Sequence, residues 1–300
     1  MPLVSVVLPT KNRADLLGRS IKSVLSQTFR DLELIIVDDG STDNTAEIVK
    51  SFKDDRIIYD RLRENKGAGA ARNRGIALSK GKFIAFQDDD DEWRQGKLDK
   101  EVKVFEENAD PDLGVVFTNM WVIGEKVSEV SRPALLRPAD GFVFNDALFG
   151  RLKNIGIQTA LIRREVFDKV GGFDESFPRW IDHEFFIRAS RYFLFYHIDE
   201  PLVNWYAATS GIASVKINKF VAMKMLLAKY AEDYNKPENK MLLSGFYYDL
   251  GHGLCSLGEL SEGRKYLLKS IKLNPAYVKA WIAVVFSLTH PSIYKVGHPL

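Results

Sequence analysis

The chain has 300 residues, of which 46% are hydrophobic and 27% are charged, and its formal net charge is +2. This composition is that of an ordinary soluble protein, and the near balance of charge gives no global field that favours a nucleic acid or an acidic polymer as partner. A single cysteine, Cys255, excludes an intramolecular disulfide, argues against a zinc site and is typical of a reducing compartment.

The N-terminal segment is predicted to form a strand rather than a secretory signal. It lacks a basic stretch followed by a long apolar run, and Val4–Leu8 is a continuous β-branched and aliphatic run that ends at Pro9. Ala14–Gln27 then has its aliphatic residues on one helical face, and Leu32–Val37 is a second continuous apolar strand. The chain therefore opens with a β-α-β unit.

The alternation of helices and strands continues to about residue 118. The predicted elements are a capped helix from Asn44 through Phe52, a strand Ile57–Tyr59, a helix Ala70–Leu78, a strand Phe83–Phe86, a helix Lys97–Glu107 and a strand Gly114–Phe117. Such alternation favours a parallel, doubly wound sheet in which ligands bind beyond the carboxyl ends of the strands. Residues from about 120 to 210 resemble an α+β extension, and the pattern from Lys219 onward is helical.

Polar segments follow three of the predicted strands. The first strand runs into Pro9–Arg13, the second into Asp38–Ser41 and the fourth into Asp88–Asp91. Clustered carboxylates repel one another unless a cation compensates them, and hard divalent ions prefer oxygen ligands, so Mg²⁺ or Mn²⁺ bridging a diphosphate fits. Between them, the glycine-containing turn Asn65–Gly69 can approach phosphate or sugar, and Arg72 on the next helix can offset phosphate charge.

Each motif also has a purely structural interpretation. Asp38–Ser41 alone is consistent with a turn and a cap, and Asp88–Asp91 alone with a solvated loop or a calcium-like surface site. Their order favours function, because each follows a buried strand of one predicted sheet. We therefore predict a metal-dependent site for a phosphorylated donor at this edge.

At these motifs the chain resembles the family 2 glycosyltransferases, which have the GT-A fold. The resemblance covers roughly residues 3–215 and rests on four blocks in order, namely Val4–Arg13, Ile36–Asp43, Asn65–Gly67 with Ala71–Gly75, and Phe86–Trp93. It implies an α/β fold, Rossmann-like, with a mostly parallel sheet and helices on both faces. The expected catalytic domain covers 1–215, with a donor half to about 118 and an acceptor half over 119–215, and a helical region follows over 216–300.

The resemblance implies a nucleotide-sugar donor site, usually for a uridine or thymidine nucleotide. The residues expected to bind the donor are Pro9, Thr10, Asn12, Arg13, Asp38, Asp39, Asn65, Gly67, Arg72, Asp88 and Asp89. Asp88 and Asp90 occupy the acidic positions of the Asp-any-Asp motif, so they are expected to face the ribose and the Mg²⁺ or Mn²⁺ ion that neutralises the leaving diphosphate. Asp91 is expected to cap the following helix.

Inverting members of the family need a carboxylate that takes the proton from the acceptor hydroxyl. Gly171–Glu175 followed by Trp180–Arg188 resembles the acceptor loop and base helix, which places Asp182 at the base position. The usual Glu-Asp pair is replaced here by Ile181 and Asp182, so Glu184 is kept as an alternative base. The structural alternative is that Asp182 only caps its helix.

The C-terminal region contains one tetratricopeptide-like hairpin over residues 248–276. Its pattern residues are Gly251, Leu254, Gly258, Tyr266 and Asn274-Pro275. One copy cannot bury a solenoid core, so this hairpin is expected to pack on the catalytic domain or on a partner.

From Ser261 to the end, the sequence has six Lys or Arg residues and only one acidic residue, Glu262. This basic segment could make peripheral contact with an anionic membrane or a partner protein. The alternative is that it is a solvated basic face of a helix packed on the enzyme. The longest apolar run, Ala280–Leu288, is shorter than the roughly 20 residues that a bilayer requires. We expect a cytoplasmic chain, soluble or peripheral at the inner face of the cell membrane.

The leading hypothesis is a metal-dependent inverting hexosyltransferase. It would move a sugar from a UDP- or dTDP-type donor to a saccharide or lipid-linked hydroxyl, in cell-surface polysaccharide or glycoconjugate synthesis, with no nucleic acid partner. A sugar-phosphate nucleotidyltransferase should carry a glycine-rich loop after the first strand, whereas Pro9–Arg13 contains no glycine. A non-catalytic nucleotide-sugar-binding or scaffold protein that acts through the helical tail is the third alternative, and the intact acidic motifs argue against it. Donor sugar and acceptor are expected to depend on the variable segment over about 120–180.

Overall fold

The apolar runs of the N-terminal half form adjacent parallel strands. The computed structural model describes residues 1–124, 128–131, 141, 143–152, 155–206, 215–288 and 294. Strands β1 (Val4–Thr10) and β2 (Leu32–Asp38) are buried along their whole length and pair in parallel, so that Thr10 lies opposite Asp38. β3 (Ile57–Arg61) pairs with β2, and β4 (Phe83–Phe86) pairs with β1, both in parallel.

Helices cover both faces of this parallel region. They are α1 (Ala14–Leu25), α2 (Thr45–Ser51), α3 (Ala68–Leu78) and α4 (Lys97–Glu107). Alternate residues of a strand point to opposite faces. Leu34 of β2 accordingly belongs to the core cluster that contains the apolar residues of α1 and α4, whereas Ile35 packs in the cluster that contains Ala71 of α3. Burial on both faces explains why these strands read as continuous apolar runs.

The sheet becomes mixed beyond β4. Its further strands are β5 (Glu92–Trp93), β6 (Leu113–Ile123), β7 (Ser128–Ser131), β8 (Ala160–Arg163) and β9 (Leu194–Tyr206), in the order β3-β2-β1-β4-β8-β6-β9-β5 with β7 paired to β6. β8 runs antiparallel to both β4 and β6, while β6 and β9 are parallel. The expected four-residue strand at Gly114–Phe117 is therefore part of the longer β6.

Three helices accompany this mixed part of the sheet. They are α5 (Phe144–Leu148), α6 (Arg164–Val170) and α7 (Ile181–Ala189). α7 is the helix that the sequence predicts to carry the base. It begins directly after Trp180, whose backbone φ is 62°.

The helix predicted after β2 is present as α2, but the prediction that Asn44 caps it was wrong. The Asn44 side chain makes no capping hydrogen bond. The carboxylate of Asp43, one residue earlier, instead accepts a hydrogen bond from the backbone N–H of Thr45 at 3.1 Å. Asn and Asp side chains can both accept hydrogen bonds from the N–H groups at the start of a helix. In α2 the Asp43 carboxylate is the one within reach of the Thr45 N–H.

The chain divides into two compact units, one of Met1–Ser176 with Ile181–Thr209 and the other of Phe177–Trp180 with Ser210–Leu300. The second unit is helical, with α8 (Lys216–Lys229), α9 (Ala231–Tyr234), α10 (Lys240–Ser256), α11 (Leu260–Leu273) and α12 (Val278–Ser287). None of the helices in the described residues combines the length and the apolar character that a membrane span needs.

Within the second unit, α10 and α11 form a closely packed hairpin. Gly258, with φ +97°, turns the chain between the two helices. A Cβ at Gly251 would lie 2.7 Å from the Gly263 carbonyl oxygen, so the two backbones approach where neither residue has a side chain. Cys255 is buried in α10.

Candidate functional site

Side chains of the acidic run join the carboxyl ends of β1 and β4. The Thr10 hydroxyl donates a hydrogen bond of 2.9 Å to Oδ2 of Asp89. The Arg13 guanidinium forms an ion pair with Asp89 at 3.2 Å and a second one with Asp90. Burial raises the pKa of Asp89 to about 6, and the charge of Arg13 opposes this rise. The single positive charge of Arg13 therefore offsets part of the negative charge of two of the four aspartates.

The first aspartate of the run is held by a different arginine. Nη2 of Arg72, on α3, lies 2.6 Å from Oδ1 of Asp88. The side chains of Asp88 and Asp90 are 27% and 18% exposed, so solvent reaches both carboxylates. These are the two positions of the Asp-any-Asp motif, and each is paired with one arginine.

The structure places Asp182 within electrostatic range of this pair. Burial raises the pKa of Asp182; the charge of Arg72 lowers it, and the charge of Asp88 raises it further. Asp182 lies in the first turn of α7, where its Oδ1 accepts a hydrogen bond from the N–H of His183 at 2.8 Å. The chain separates Asp182 from Asp88 by more than ninety residues, and the fold brings their charges together.

Glu184, the alternative base, is in a different environment. It is fully buried, and both of its carboxylate oxygens accept hydrogen bonds from the Arg188 guanidinium, at 2.9 to 3.1 Å. Arg188 also donates to the carbonyl oxygen of Gly172 at 2.7 Å. This pair fastens α7 to the loop before it.

The end of β2 contacts the turn at Asn65–Gly69. The carboxylate of Asp39 accepts hydrogen bonds from the backbone N–H groups of Lys66, at 2.7 Å, and Gly67, at 2.8 Å. Gly67 has φ +92°, a conformation that glycine adopts without strain. Asp39 therefore fixes this turn, which also contains Asn65, beside the end of β2.

Asp38 and Asn12 stabilise the turns that follow β2 and β1. Asp38 is 1% exposed; it accepts hydrogen bonds from the N–H of Ser41 at 2.8 Å and from the Tyr59 hydroxyl at 2.6 Å. The Asn12 side-chain oxygen accepts a hydrogen bond of 2.7 Å from the N–H of Thr42. Pro9, also predicted to bind the donor, is buried within β1.

Asn73 is a site residue to which the sequence assigned no role. Its side-chain oxygen accepts a hydrogen bond from the N–H of Phe173 at 2.7 Å, and its Nδ2 donates to the Phe173 carbonyl at 2.9 Å and to Glu175 at 2.7 Å. A Cβ at Gly172 would collide with Asn73. Asn73 therefore attaches the acceptor loop Gly171–Glu175 to the helix that carries Arg72. The only signal in the sequence is that Asn73 adjoins Arg72 in a matched block.

The prediction that Asp91 caps a helix was wrong. The next helix, α4, begins at Lys97 after Gly96. Asp91 is fully buried, and its carboxylate accepts hydrogen bonds from the Gln158 side chain at 2.9 Å and from the N–H of Tyr206 at 3.1 Å. Burial raises its pKa well above the ordinary value, with the nearby Asp88 and Asp90 charges adding to the rise. Asp91 connects the acidic run to β9, a contact between residues that are distant in sequence.

The described part of the chain contains no group of three or more His, Cys, Asp or Glu side chains arranged to hold a metal ion by themselves. The carboxylates of Asp88 and Asp90 offer hard oxygen ligands at a partly exposed position. Two carboxylates are the usual protein contribution to a Mg²⁺ site that is completed by water and substrate phosphates. The donor set therefore fits an ion shared with a diphosphate, and not an ion held by protein side chains alone.

Comparison with known proteins agrees with the fold and the motifs. A family model described as "Glycosyl transferase family 2" matches residues 5–171. The chain is 34% identical over 166 residues, which cover 55% of this chain and 63% of the relative, to a protein of Bacillus subtilis named "Putative teichuronic acid biosynthesis glycosyltransferase TuaG". It is 41% identical over 106 residues, which cover 35% of this chain and 42% of the relative, to an Escherichia coli protein named "UDP-Glc:alpha-D-GlcNAc-diphosphoundecaprenol beta-1,3-glucosyltransferase WfaP". These matches span less than two thirds of either relative.

Solved structures extend the likeness in fold over the chain. S. aureus TarS in complex with UDP-GlcNAc has a TM-score of 0.66 at 17% identity, covering 99% of this chain and 93% of that chain. The mannosyltransferase PcManGT of Pyrobaculum calidifontis, in complex with GDP-Man and Mn²⁺, has a TM-score of 0.62 at 19% identity, covering 99% of this chain and 83% of that chain. At these identities the likeness concerns the fold, and it confirms the predicted GT-A architecture with a helical C-terminal region.

Proposed function

Because the chain belongs to glycosyl transferase family 2, we propose that it moves a hexosyl group, with inversion, from a UDP- or dTDP-sugar to a saccharide or lipid-linked hydroxyl. The observation that carries this proposal is that Arg72 pairs with Asp88, just after β4, and that both charges act on Asp182 of α7. Two relatives have names that refer to teichuronic acid synthesis and to a diphosphoundecaprenol-linked acceptor. Those names support a role in cell-surface polysaccharide or glycoconjugate synthesis.

The donor half of the site consists of the ends of β1, β2 and β4. Asp39 holds the Asn65–Gly67 turn, and Thr10 and Arg13 hold the acidic run, so the proposed nucleotide-binding residues are fixed before a ligand binds. A preorganised site loses less conformational entropy on binding. Arg13 and Arg72 are the cations closest to the carboxylates and are placed to interact with the donor diphosphate.

We assign Asp88 and Asp90 as the protein ligands of a Mg²⁺ or Mn²⁺ ion. When bound there, the ion would supply positive charge that stabilises the departing nucleoside diphosphate. The alternative arrangement, in which protein side chains form a complete metal cage, is not supported by the described residues. Arg13 and Arg72, each paired with one of these carboxylates, already provide countercharge on the protein side of the site.

We assign Asp182 as the general base. In the proposed step its carboxylate takes the proton of an acceptor hydroxyl, whose oxygen attacks the anomeric carbon as the bond from that carbon to the diphosphate oxygen breaks. The products are a glycoside, a nucleoside diphosphate and protonated Asp182. A raised pKa makes this carboxylate a stronger proton acceptor than an exposed aspartate. Glu184 is less suited, because Arg188 occupies its carboxylate.

The decisive experiment separates donor binding from transfer. Calorimetry with UDP- and dTDP-sugars, with and without Mn²⁺, is combined with a donor hydrolysis or transfer assay on wild type, Asp90→Ala, Asp182→Asn and Asp168→Asn. We expect Asp90→Ala to lose the metal-dependent part of donor binding, and Asp182→Asn to keep binding while turnover falls by at least about a hundredfold.

Asp168, which is exposed on α6, provides the matched control, and Asp168→Asn should behave as wild type. Unchanged metal-dependent affinity in Asp90→Ala would remove the metal assignment. Unchanged transfer in Asp182→Asn would remove the base assignment.

A further inference from the structure

The last described helix exposes five large apolar side chains, while Val284 and Phe286 are partly buried against the core cluster of the helical unit. The exposed fractions are 64% for Val278, 49% for Trp281, 42% for Ile282, 63% for Val285 and 67% for Leu288 at its end. The buried positions are Ala280, Ala283 and Ser287. A helix at the surface of a water-soluble domain normally has polar residues on its outer face, where α12 has these five apolar ones.

The exposed apolar residues of α12 form one continuous stripe. At about 100° per residue they fall within an arc of roughly 120°, which is the width of an apolar helix face. Trp281 has its indole N–H bonded to the Pro275 carbonyl oxygen at 2.9 Å, so its only polar atom is satisfied while its ring is half exposed. We call the residues Val278, Trp281, Ile282, Val285 and Leu288 the apolar stripe.

Exposed basic residues occur on α12 and on the helix before it. Lys279 is exposed on α12 at the edge of the stripe, and Lys265, Lys269 and Lys272 are exposed on one face of the neighbouring α11. The sequence from 263 to 300 contains no Asp or Glu. Glu262, just before it, is already paired with Lys224 at 2.9 Å. This segment is therefore cationic without acidic side chains of its own.

The helical unit as a whole also has a positive net charge. Phe177–Trp180 and Ser210–Leu300 together contain thirteen Lys and Arg against six Asp and Glu, whereas the other unit has twenty-nine against thirty-four. The near-neutral chain thus consists of a basic helical unit and an acidic α/β unit. A second copy of the basic unit would meet the stripe with like charge, so charge disfavours self-association through this surface.

From these observations we infer that the apolar stripe docks onto an anionic lipid bilayer. An apolar helix face with Lys279 at its edge, on a basic unit, matches the interfacial region of such a membrane, where apolar side chains enter the boundary of the acyl chains and lysines meet anionic headgroups. Tryptophan is favoured at this depth because its ring is apolar and its N–H is polar. Docking uses α11 and α12 and requires neither donor nor acceptor.

The test uses the full chain with phosphatidylcholine vesicles, with and without phosphatidylglycerol, in a flotation assay without substrates. We expect binding that requires phosphatidylglycerol and weakens as salt rises. The fluorescence of Trp281, obtained as the difference between wild type and Trp281→Phe, should shift to the blue on binding. Because no sugar transfer is measured, failure here is distinguishable from failure of the proposed enzyme activity.

Two variants and their controls separate the apolar and the charged contributions. Trp281→Ser/Val285→Ser should bind at least about tenfold more weakly than the control Met241→Ser, which changes an apolar residue that is 60% exposed on α10. Lys265→Gln/Lys269→Gln/Lys272→Gln should also bind at least about tenfold more weakly. Its control removes the same charge from exposed positions elsewhere in the unit, with the substitutions Lys216→Gln/Lys229→Gln/Lys240→Gln.

The proposal is wrong if phosphatidylglycerol vesicles do not bind, if each variant binds as tightly as its control, or if the Trp281 emission does not change. Circular dichroism melting of every variant shows whether it is folded. Sedimentation velocity tests the remaining alternative. If the wild type is a dimer, the double variant Trp281→Ser/Val285→Ser is a monomer and vesicles do not bind, a second copy of the chain is the occupant of the stripe.

Discussion

At the scale of residues, the electrostatics of Asp182 connect the two halves of the candidate site. Arg72 pairs with Asp88 at 2.6 Å on the donor side and lowers the pKa of Asp182 on the acceptor side. One guanidinium therefore influences both the proposed metal ligand and the proposed base. Its position, next to Asn73 on α3, also explains why the acceptor loop that Asn73 holds lies near the donor site.

The raised pKa of Asp182 predicts the pH dependence of transfer. The base must be ionised to accept a proton, so kcat/KM should fall as pH decreases through the pKa of Asp182, and this acid limb should lie above the usual aspartate value of about 4. Removing the charge in Arg72→Met should raise that pKa and move the limb to higher pH, whereas Arg72→Lys should keep it near the wild-type position.

A pH profile of kcat/KM for the three proteins tests this prediction. Donor binding to Arg72→Met is expected to weaken as well, which changes the height of the profile and leaves the position of the acid limb as the independent measurement. If the acid limb of Arg72→Met stays in place or moves to lower pH, the charge of Arg72 does not lower the pKa of the catalytic base.

At the scale of elements, α4 contains a buried ion pair close to the acidic run. Lys97 and Glu101 are both fully buried, with Nζ of Lys97 2.8 Å from the Glu101 carboxylate and 4.3 Å from the centre of the Trp93 ring. Burial raises the pKa of Glu101 to about 7 and lowers the pKa of Lys97. Burial is the largest cause of both shifts. Removing one partner leaves the other buried and unpaired, whereas replacing both by apolar residues also removes the desolvation cost.

This balance predicts a non-additive pair of substitutions. Glu101→Gln alone should lower the free energy of unfolding by about 3 kcal/mol or more, because it leaves a buried unpaired Lys97. The double variant Lys97→Met/Glu101→Leu should be within about 1 kcal/mol of wild type or more stable. Urea unfolding followed by circular dichroism measures both.

The same helix offers a matched control at the same sequence spacing. Lys103 and Glu107 are 67% and 68% exposed, and their charged atoms are 3.6 Å apart. Glu107→Gln should change the free energy of unfolding by less than about 0.5 kcal/mol. Equal effects at Glu101 and Glu107 would contradict the role assigned to burial.

At the scale of the whole molecule, charge separates the chain into an acidic α/β unit and a basic helical unit. The proposed enzyme activity belongs to the first unit and the proposed membrane contact to the second. For a lipid-linked acceptor, membrane docking raises the local concentration of substrate, so that binding becomes effectively intramolecular. For a water-soluble acceptor it gives no such advantage.

The two proposals together predict a selective kinetic effect. The test uses the triple variant Lys265→Gln/Lys269→Gln/Lys272→Gln and a polyprenyl-diphosphate saccharide embedded in phosphatidylglycerol vesicles. The rate of transfer to this acceptor should fall by about tenfold or more, because the variant binds the vesicles more weakly. The rate of donor hydrolysis in solution should equal that of wild type. Parallel assays of the two reactions check this. Equal losses in both reactions would indicate damage to the donor site instead.

The sequence by itself determined the fold class, and it predicted where the proposed donor edge of the site lies. Continuous apolar runs such as Val4–Leu8 and Leu32–Val37 are strands because they are buried on both faces, and that requirement is local in sequence. The polar residues directly after such strands must lie at the carboxyl edge of a parallel sheet. The Asp-any-Asp positions are predicted from this rule and from the resemblance to family 2, whereas the hydrogen bonds of Asp39 to the Asn65–Gly69 turn are seen only in the structure.

Only the tertiary structure decided which distant groups meet. Asp91 contacts Gln158 and Tyr206 because β8 pairs with β4 and β9 pairs with β5, the strand directly after the acidic run. The charges of Arg72 and Asp88 act on Asp182, which lies more than ninety residues further along the chain than Asp88. The periodicity of α12 likewise could not show which of its faces is buried. Such contacts depend on packing between segments far apart in the chain, whereas strand and helix patterns depend on neighbouring residues, which is the information that a sequence displays directly.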